Sequence, residues 1–166
     1  MDANGAGNGA EKFILRLVVD NRKGVMARIA TLLARKGYNI SSICVGKHIE
    51  EGEASVVLTI YGTEAELQQA KNMLGKLVNV ISIEMLHRGD VVERELCLIK
   101  IRGDGDSTES AVKEKASGLQ AKIVQRGKGF MVLEVTDYPA KVEEFVKACL
   151  KDFEVIDISR SGANAI

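Results

Sequence analysis

The chain contains no tryptophan, only three tyrosines and four phenylalanines among 166 residues, so it has too few rings for a surface that stacks bases. Lys plus Arg and Asp plus Glu balance at 23 each, so no general field draws the protein to nucleic acid or to an anionic membrane. No run approaches the ~20 apolar residues that a bilayer-spanning helix needs. The two histidines, His48 and His87, fall in polar connections with no Cys or second His nearby; both read as surface residues and neither begins a metal site. The three cysteines (Cys44, Cys97 and Cys149) are odd in number, far apart and each set in an apolar run. No pair has ligand spacing, and each reads as a buried reduced thiol of a cytoplasmic protein. No activated Ser, Cys or His and no paired carboxylates accompany a cavity-forming motif, so no catalytic residue is assigned. What remains is 46% hydrophobic and 28% charged, the composition of an ordinary soluble globular protein with room for one domain or two small ones.

The first twelve residues, MDANGAGNGAEK, are rich in Gly, Asn and Ala without a basic region and apolar core, and read as a flexible lead-in rather than a secretory signal. Phe13–Val19 is an apolar, β-branched strand broken only by Arg16. Val25, Met26, Ile29, Ala30, Leu32 and Leu33 then paint one stripe of a helix over about Val25–Lys36, and Gly37 supplies its stop. Asn39–Gly46 and Ala54–Tyr61 are strands joined by the charged connection Lys47–Glu53. Thr63-Glu64-Ala65-Glu66 is a capping box opening a helix with Leu67, Ala70, Leu74 and Leu77 on one face. Val78–Leu86 is a fourth strand.

This βαββαβ order is the ferredoxin-like split unit, and after the polar link His87–Val92 it returns. Arg94–Arg102 is a strand and Gly103–Ser107 a loop, with Asp106 placed to cap a helix over Ser110–Leu119. Ala121–Gln125 and Phe130–Thr136 pair around Gly127-Lys128-Gly129. Pro139 opens a helix with a stripe of Val142, Phe145, Val146, Cys149 and Leu150, and Glu154–Ser159 closes the unit. The fold class is α+β, two ferredoxin-like βαββαβ domains in tandem at 13–87 and 93–166.

Two segments invite a ligand reading and fail it. Gly103-Asp104-Gly105-Asp106 sits where a nucleotide loop would, but lacks the Lys-Ser/Thr of that pattern, and its carboxylates repel phosphate. Glu50-Glu51-Gly52-Glu53 offers a cation no fixed coordination set, so no metal site is assigned.

The turn Asp20-Asn21-Arg22-Lys23-Gly24 is different. A helix starting at Gly24 or Val25 presents unpaired N–H groups and a partial positive charge, which suit a small carboxylate. Gly24 permits close approach, and Asn21 offers an amide donor and acceptor. With no nucleophile, metal ligand or base beside it, the turn is fitted to hold a small zwitterion rather than transform it. A plain strand-to-helix turn is the competing reading.

The run D-N-x-x-G-V-M-A-R-I-x-x-L-x-x-x-G-Y-N-I-x-S-I over Asp20–Ile43 resembles the ACT-type regulatory domain of acetolactate synthase (acetohydroxyacid synthase) small subunits. Leu77-Val78-Asn79-Val80-Ile81 and the VEREL run at Val92–Leu96, continued by Cys97-Leu98-Ile99-Lys100-Ile101, are similar to further signatures of that family, and Ile158-Ser159-Arg160-Ser161-Gly162 is a weaker match. The resemblance implies a first domain of ACT type and a non-catalytic chain. Such a chain binds and activates a large catalytic subunit and confers feedback inhibition by valine, leucine or isoleucine. Thiamine diphosphate, Mg and FAD would sit on that catalytic subunit and no cofactor on this chain. It implies a homodimer through the ACT domains, with the effector between subunits: Asn21, Gly24, Val25 and Met26 from one, Asn39 and Ile40 from the other. The third strand departs from the family pattern, with Ala54-Ser55 where a Ser-Arg or similar pair is usual. Two other readings stand beside this one: a free-standing ACT amino-acid sensor regulating a different enzyme, and a small ferredoxin-like enzyme, which would need a polar cluster in the sheet that the sequence does not supply.

Overall fold

The computed structural model of the chain describes residues 11–86 and 91–166. These group into two compact units, one running to Val92 and including Ala165–Ile166, the other Glu93–Asn164. Residues 1–10 of the expected lead-in, and 87–90 of the expected link with His87, lie outside the described residues; Glu11 and Lys12 belong to the first strand.

In the first unit the order is β1 (Glu11–Asp20), α1 (Val25–Arg35), β2 (Ile40–Lys47), β3 (Glu53–Gly62), α2 (Glu64–Leu74) and β4 (Val80–Leu86). The antiparallel sheet runs β2-β3-β1-β4, so consecutive elements alternate between centre and edge and both helices cover one face. The alternation of β1 sends Leu15, Leu17 and Val19 to that face, where they meet Val56, Leu58 and Ile60 of β3. Onto them pack Val25, Ile29 and Leu33 of α1 and Leu67, Ala70 and Leu74 of α2. Each large side chain so buried contributes about 1.5–3 kcal/mol. Of the expected α1 stripe, Met26 and Leu32 are half-buried and Ala30 is exposed, because three residues four apart already fill the contact line. Gly37 ends the helix at φ 80°, its N–H donating to the Ala34 carbonyl. The capping box on α2 forms as the sequence predicts: Glu66 N–H donates to Thr63 Oγ1 and Thr63 N–H to Glu66 Oε2, at 3.3 and 2.7 Å.

On the opposite face Ile14, Val57 and Ala165 are buried, with Cys44, Leu86 and Val91 packed against them. Val92 and Ile166 exchange backbone hydrogen bonds at 2.9 and 3.2 Å, which draws the last two residues into this unit.

The second unit repeats the plan with β5 (Glu93–Arg102), α3 (Asp106–Lys115), β6 (Ala121–Gly127), β7 (Phe130–Asp137), α4 (Pro139–Asp152) and β8 (Val155–Ala165), in the sheet order β6-β7-β5-β8. Cys97, Ile99 and Ile101 of β5 and Met131, Leu133 and Val135 of β7 face Val112 of α3 and Val142, Phe145 and Cys149 of α4.

Several expectations shift. Helix α3 starts four residues early; its cap is Gly105, without a side-chain bond, and Asp106 is its first helical residue rather than its cap. Asp104 instead accepts the Gly129 N–H at 2.7 Å, tying this loop to the β6–β7 hairpin. Leu150 is 56% exposed, since the last turn of α4 has already satisfied the sheet with Val146 and Cys149. Cys97 and Cys149 are buried and Cys44 half-buried, all as free thiols. His48 is more enclosed than a surface residue, its Nδ1 3.2 Å from Glu53 Oε2 across the β2–β3 hairpin.

Candidate functional site

The β1–α1 turn is held by backbone from both sides. Asn21 N–H donates to the Gly52 carbonyl of the β2–β3 hairpin at 2.8 Å, and Asp20 N–H to the Asn79 carbonyl at 2.9 Å, just before β4. Arg22 N–H folds back on the Asp20 carbonyl at 2.9 Å, and Gly24 then turns into the helix at φ 85°. A Cβ on Gly24 would meet nothing within 4 Å. Glycine is therefore required by the left-handed backbone, and the space above it is open.

Gly24 caps α1 with no side-chain bond, and no acidic residue lies in the first helical turn. The first bond of the ladder runs from Arg28 N–H to the Gly24 carbonyl at 3.1 Å. The N–H groups of Met26 and Ala27 precede that ladder, and that of Val25 makes only a 3.4 Å contact with the Arg22 carbonyl. The backbone N–H groups without a backbone partner at this terminus are thus those of Gly24, Met26 and Ala27, which adds Ala27 to the expected set. Asn21 is exposed and its side chain makes no hydrogen bond among the described residues; Arg22, Lys23 and Arg28 around it are also exposed. The helix terminus and the cations Arg22, Lys23 and Arg28 favour a ligand anion, opposed by the carboxylates of Asp20 and of Glu53 across the sheet from it. Val25 is buried and Met26 half-buried, so at the same point the turn passes from polar to apolar.

Asn39 and Ile40 are not brought to this turn within one chain. Ile40 pairs with Ile60, which pairs with Phe13, whereas the turn follows Asp20, opposite Glu53. Seven residues of strand separate the two levels, ~23 Å at about 3.3 Å per residue. The opposite end of β2, at Lys47 beside Ala54, is the one level with the turn. β2 is an edge strand whose helix-side residues Ile43 and Val45 are 40% and 49% exposed. Such an edge is a template for pairing with another strand.

Asn79 was absent from the residues singled out as a site. Its Nδ2 donates to Asp20 Oδ2 at 2.8 Å, and its Oδ1 accepts from Arg28 Nη1 at 2.8 Å. Asn79 was noted only as part of the run at 77–81, and its spacing among apolar residues does not point to contacts made 51 and 59 positions away.

No group of three or more His, Cys, Asp or Glu able to hold a metal occurs among the described residues, and none of their helices is long and apolar enough to cross a membrane.

Comparison with known proteins accounts for both units. Residues 15–82 match the ACT domain of acetohydroxyacid synthase small subunits, and residues 94–166 match the family described as small subunit of acetolactate synthase. The acetolactate synthase small subunit of Mycolicibacterium smegmatis is 30% identical over 96% of this chain and 92% of its own length. Acetolactate synthase small subunit 2, chloroplastic, of Arabidopsis thaliana is 38% identical over 92% of this chain, which spans only 31% of that longer relative. The crystal structure of the Thermotoga maritima acetolactate synthase small subunit, 31% identical, superposes with a TM-score of 0.84 over 94% of this chain and 96% of that one. The chain belongs to the acetolactate synthase small-subunit family.

Proposed function

We propose that this chain is a non-catalytic regulatory subunit. On this reading it binds the catalytic subunit of acetolactate synthase, raises its activity, and confers feedback inhibition by valine or another branched-chain amino acid. Residues 13–87 act as the ACT regulatory domain and 93–166 as the C-terminal domain of the small subunit. Thiamine diphosphate, Mg and FAD belong to the catalytic partner, and the complex works in the cytoplasm.

The observation that carries the proposal is the β1–α1 turn, with uncommitted N–H groups at Gly24, Met26 and Ala27, the Asn21 side chain free beside them, and apolar side chains immediately behind. The ligand carboxylate meets those N–H groups. Its ammonium needs acceptors, which Asn39 and the backbone carbonyls near Ile40 supply from a second copy. The register supports that division. A two-fold axis placing β2 antiparallel to β2 of another copy sends the partner's Asn39–Ile40 end to the level of this chain's turn, and covers the exposed Ile43 and Val45. Ligand that binds only the paired form shifts the quaternary equilibrium by its differential affinity.

The test is thermal unfolding of the purified protein with valine, leucine, isoleucine, serine, glycine and phenylalanine in turn. A ligand at one hundred times its dissociation constant stabilises by about 2.7 kcal/mol. An upward shift confined to branched-chain amino acids supports the proposal. A shift confined to serine, glycine or phenylalanine makes the chain a different amino-acid sensor.

A further inference from the structure

We infer that Asn79 is a positioning residue that locks the β1–α1 turn in its ligand-receiving form, an inference that rests on reading this turn as an amino-acid site. Asn79 precedes β4 and is half-buried, between the 90% exposed Val78 and the first residue of that strand. Three of its groups are committed to the turn. Its carbonyl accepts the Asp20 N–H, its Nδ2 donates to the Asp20 carboxylate, and its Oδ1 accepts from the Arg28 guanidinium.

The two ends of the turn are therefore joined through one side chain. Asp20 is the last residue of β1, and Arg28 is the residue whose N–H closes the first ladder bond onto Gly24. Between them lie Asn21, Gly24, Val25, Met26 and Ala27, the groups assigned to the ligand. Fixing the distance from Asp20 to Arg28 fixes how the N–H groups of Gly24, Met26 and Ala27 are splayed. Holding donors in place before the ligand arrives lowers the ordering cost of binding.

The chemistry narrows the residue type. The group between a carboxylate and a guanidinium must donate on one side and accept on the other, which a planar amide does and a carboxylate or ammonium cannot. The same two partners settle which way the amide faces, since its N must lie toward Asp20 and its O toward Arg28. Arg28 has a second effect. Held by Asn79, its cation stays within the turn's surroundings, where it adds to the helix terminus in attracting a ligand anion.

The test is a charge-conserving exchange measured in the full chain. Asn79→Asp sets two carboxylates against each other, and Asn79→Ala removes both side-chain bonds without adding charge. Asp20→Asn combined with Asn79→Asp rebuilds the chain of bonds in reverse, amide to carboxylate to guanidinium, at the wild-type net charge. Two readouts are taken: amide hydrogen exchange over residues 20–28, and the affinity for whichever branched-chain amino acid shifts the wild type. Both single variants should speed exchange across the turn while leaving β3 and α2 protected, and weaken the ligand about tenfold, the loss of a hydrogen bond or two. The exchanged pair should return both readouts to near wild type. Wild-type exchange in Asn79→Ala, or an exchanged pair as impaired as Asn79→Asp, overturns the inference. If no amino acid binds the wild type, the reading of the site fails, and the exchange data alone decide whether Asn79 holds the turn.

Discussion

Arg160 grips Glu95 through two parallel bonds, Nε to Oε1 at 2.9 Å and Nη2 to Oε2 at 2.8 Å, while its remaining nitrogen, Nη1, reaches Glu143 of α4. Next to it Ser161 Oγ accepts the Leu96 N–H at 3.1 Å. Two motifs 65 residues apart, VEREL and Arg-Ser-Gly, are thus one device that fastens β8 to β5. Glu95 is only 5% exposed, so its carboxylate depends on this partner. Arg160→Met should destabilise the second unit by about 3 kcal/mol, the low end for breaking a buried pair, because the arginine side chain is itself 35% exposed. Glu95→Leu added to Arg160→Met should recover much of the loss in urea denaturation. No recovery would mean that the pair is not the source of the effect.

Gly24 separates backbone strain from charge. Gly24→Ala forces a Cβ onto a residue at φ 85° but meets no neighbour within 4 Å, so it should cost about 1–2 kcal/mol and weaken a bound amino acid modestly. Gly24→Asp carries the same strain and puts a carboxylate beside the free N–H groups. It should abolish effector binding by isothermal titration. Equal affinities for the two variants would contradict an anion site there.

The edge of β2 offers a test of the shared site. Replacing Ile43, Val45 or both with Lys leaves the packed core untouched, since both side chains are at least 40% exposed. The double replacement should give a monomer in sedimentation velocity, and ligand binding should disappear with the dimer. A variant that stays dimeric, or a monomer that still binds, would place the interface or the ligand elsewhere.

The thiols set an alkaline limit. Burial pushes the Cys149 thiol up to about 11 from 9.0, and raises Cys97 as well. The folded chain therefore holds a proton that the unfolded chain releases near 9. The resulting stability is fully present below pH 9 and is lost as pH rises toward 11. Denaturation midpoints should fall over that window in the wild type and less steeply in Cys149→Ala. The native protein at pH 8 should react with a maleimide at the half-buried Cys44 before Cys97 or Cys149.

Periodicity carried most of the fold. Both βαββαβ units, the Thr63–Glu66 box, Pro139 at the start of α4 and the Gly37 stop follow from local chemistry acting within a few residues. The misses share a cause of longer range. Val78 and Asn79 continue the alternation of β4, yet bonding to Asp20 and Arg28 takes Asn79 out of the strand. β8 extends six residues beyond Ser159 because it pairs along β5, a register that its own sequence does not encode. Arg94 of VEREL is exposed, its Nη1 on the neighbouring Glu93 carbonyl; both glutamates of the run are buried, and Glu95 is the one that Arg160 grips. At Asn21 and Gly24 the strand-to-helix turn was legible because those residue types favour one. The latch was not, because an asparagine gains that role only when three segments meet.

The offset between Ile40 and the turn has a consequence for how the protein would report an amino acid. With the two halves of the proposed site at opposite ends of the sheet in each copy, an isolated copy is deaf to the signal. Occupancy then depends on how much of the subunit is present as well as on the metabolite. Expression level becomes a gain control: dilute subunit gives a shallow, insensitive response, and abundant subunit a sensitive one.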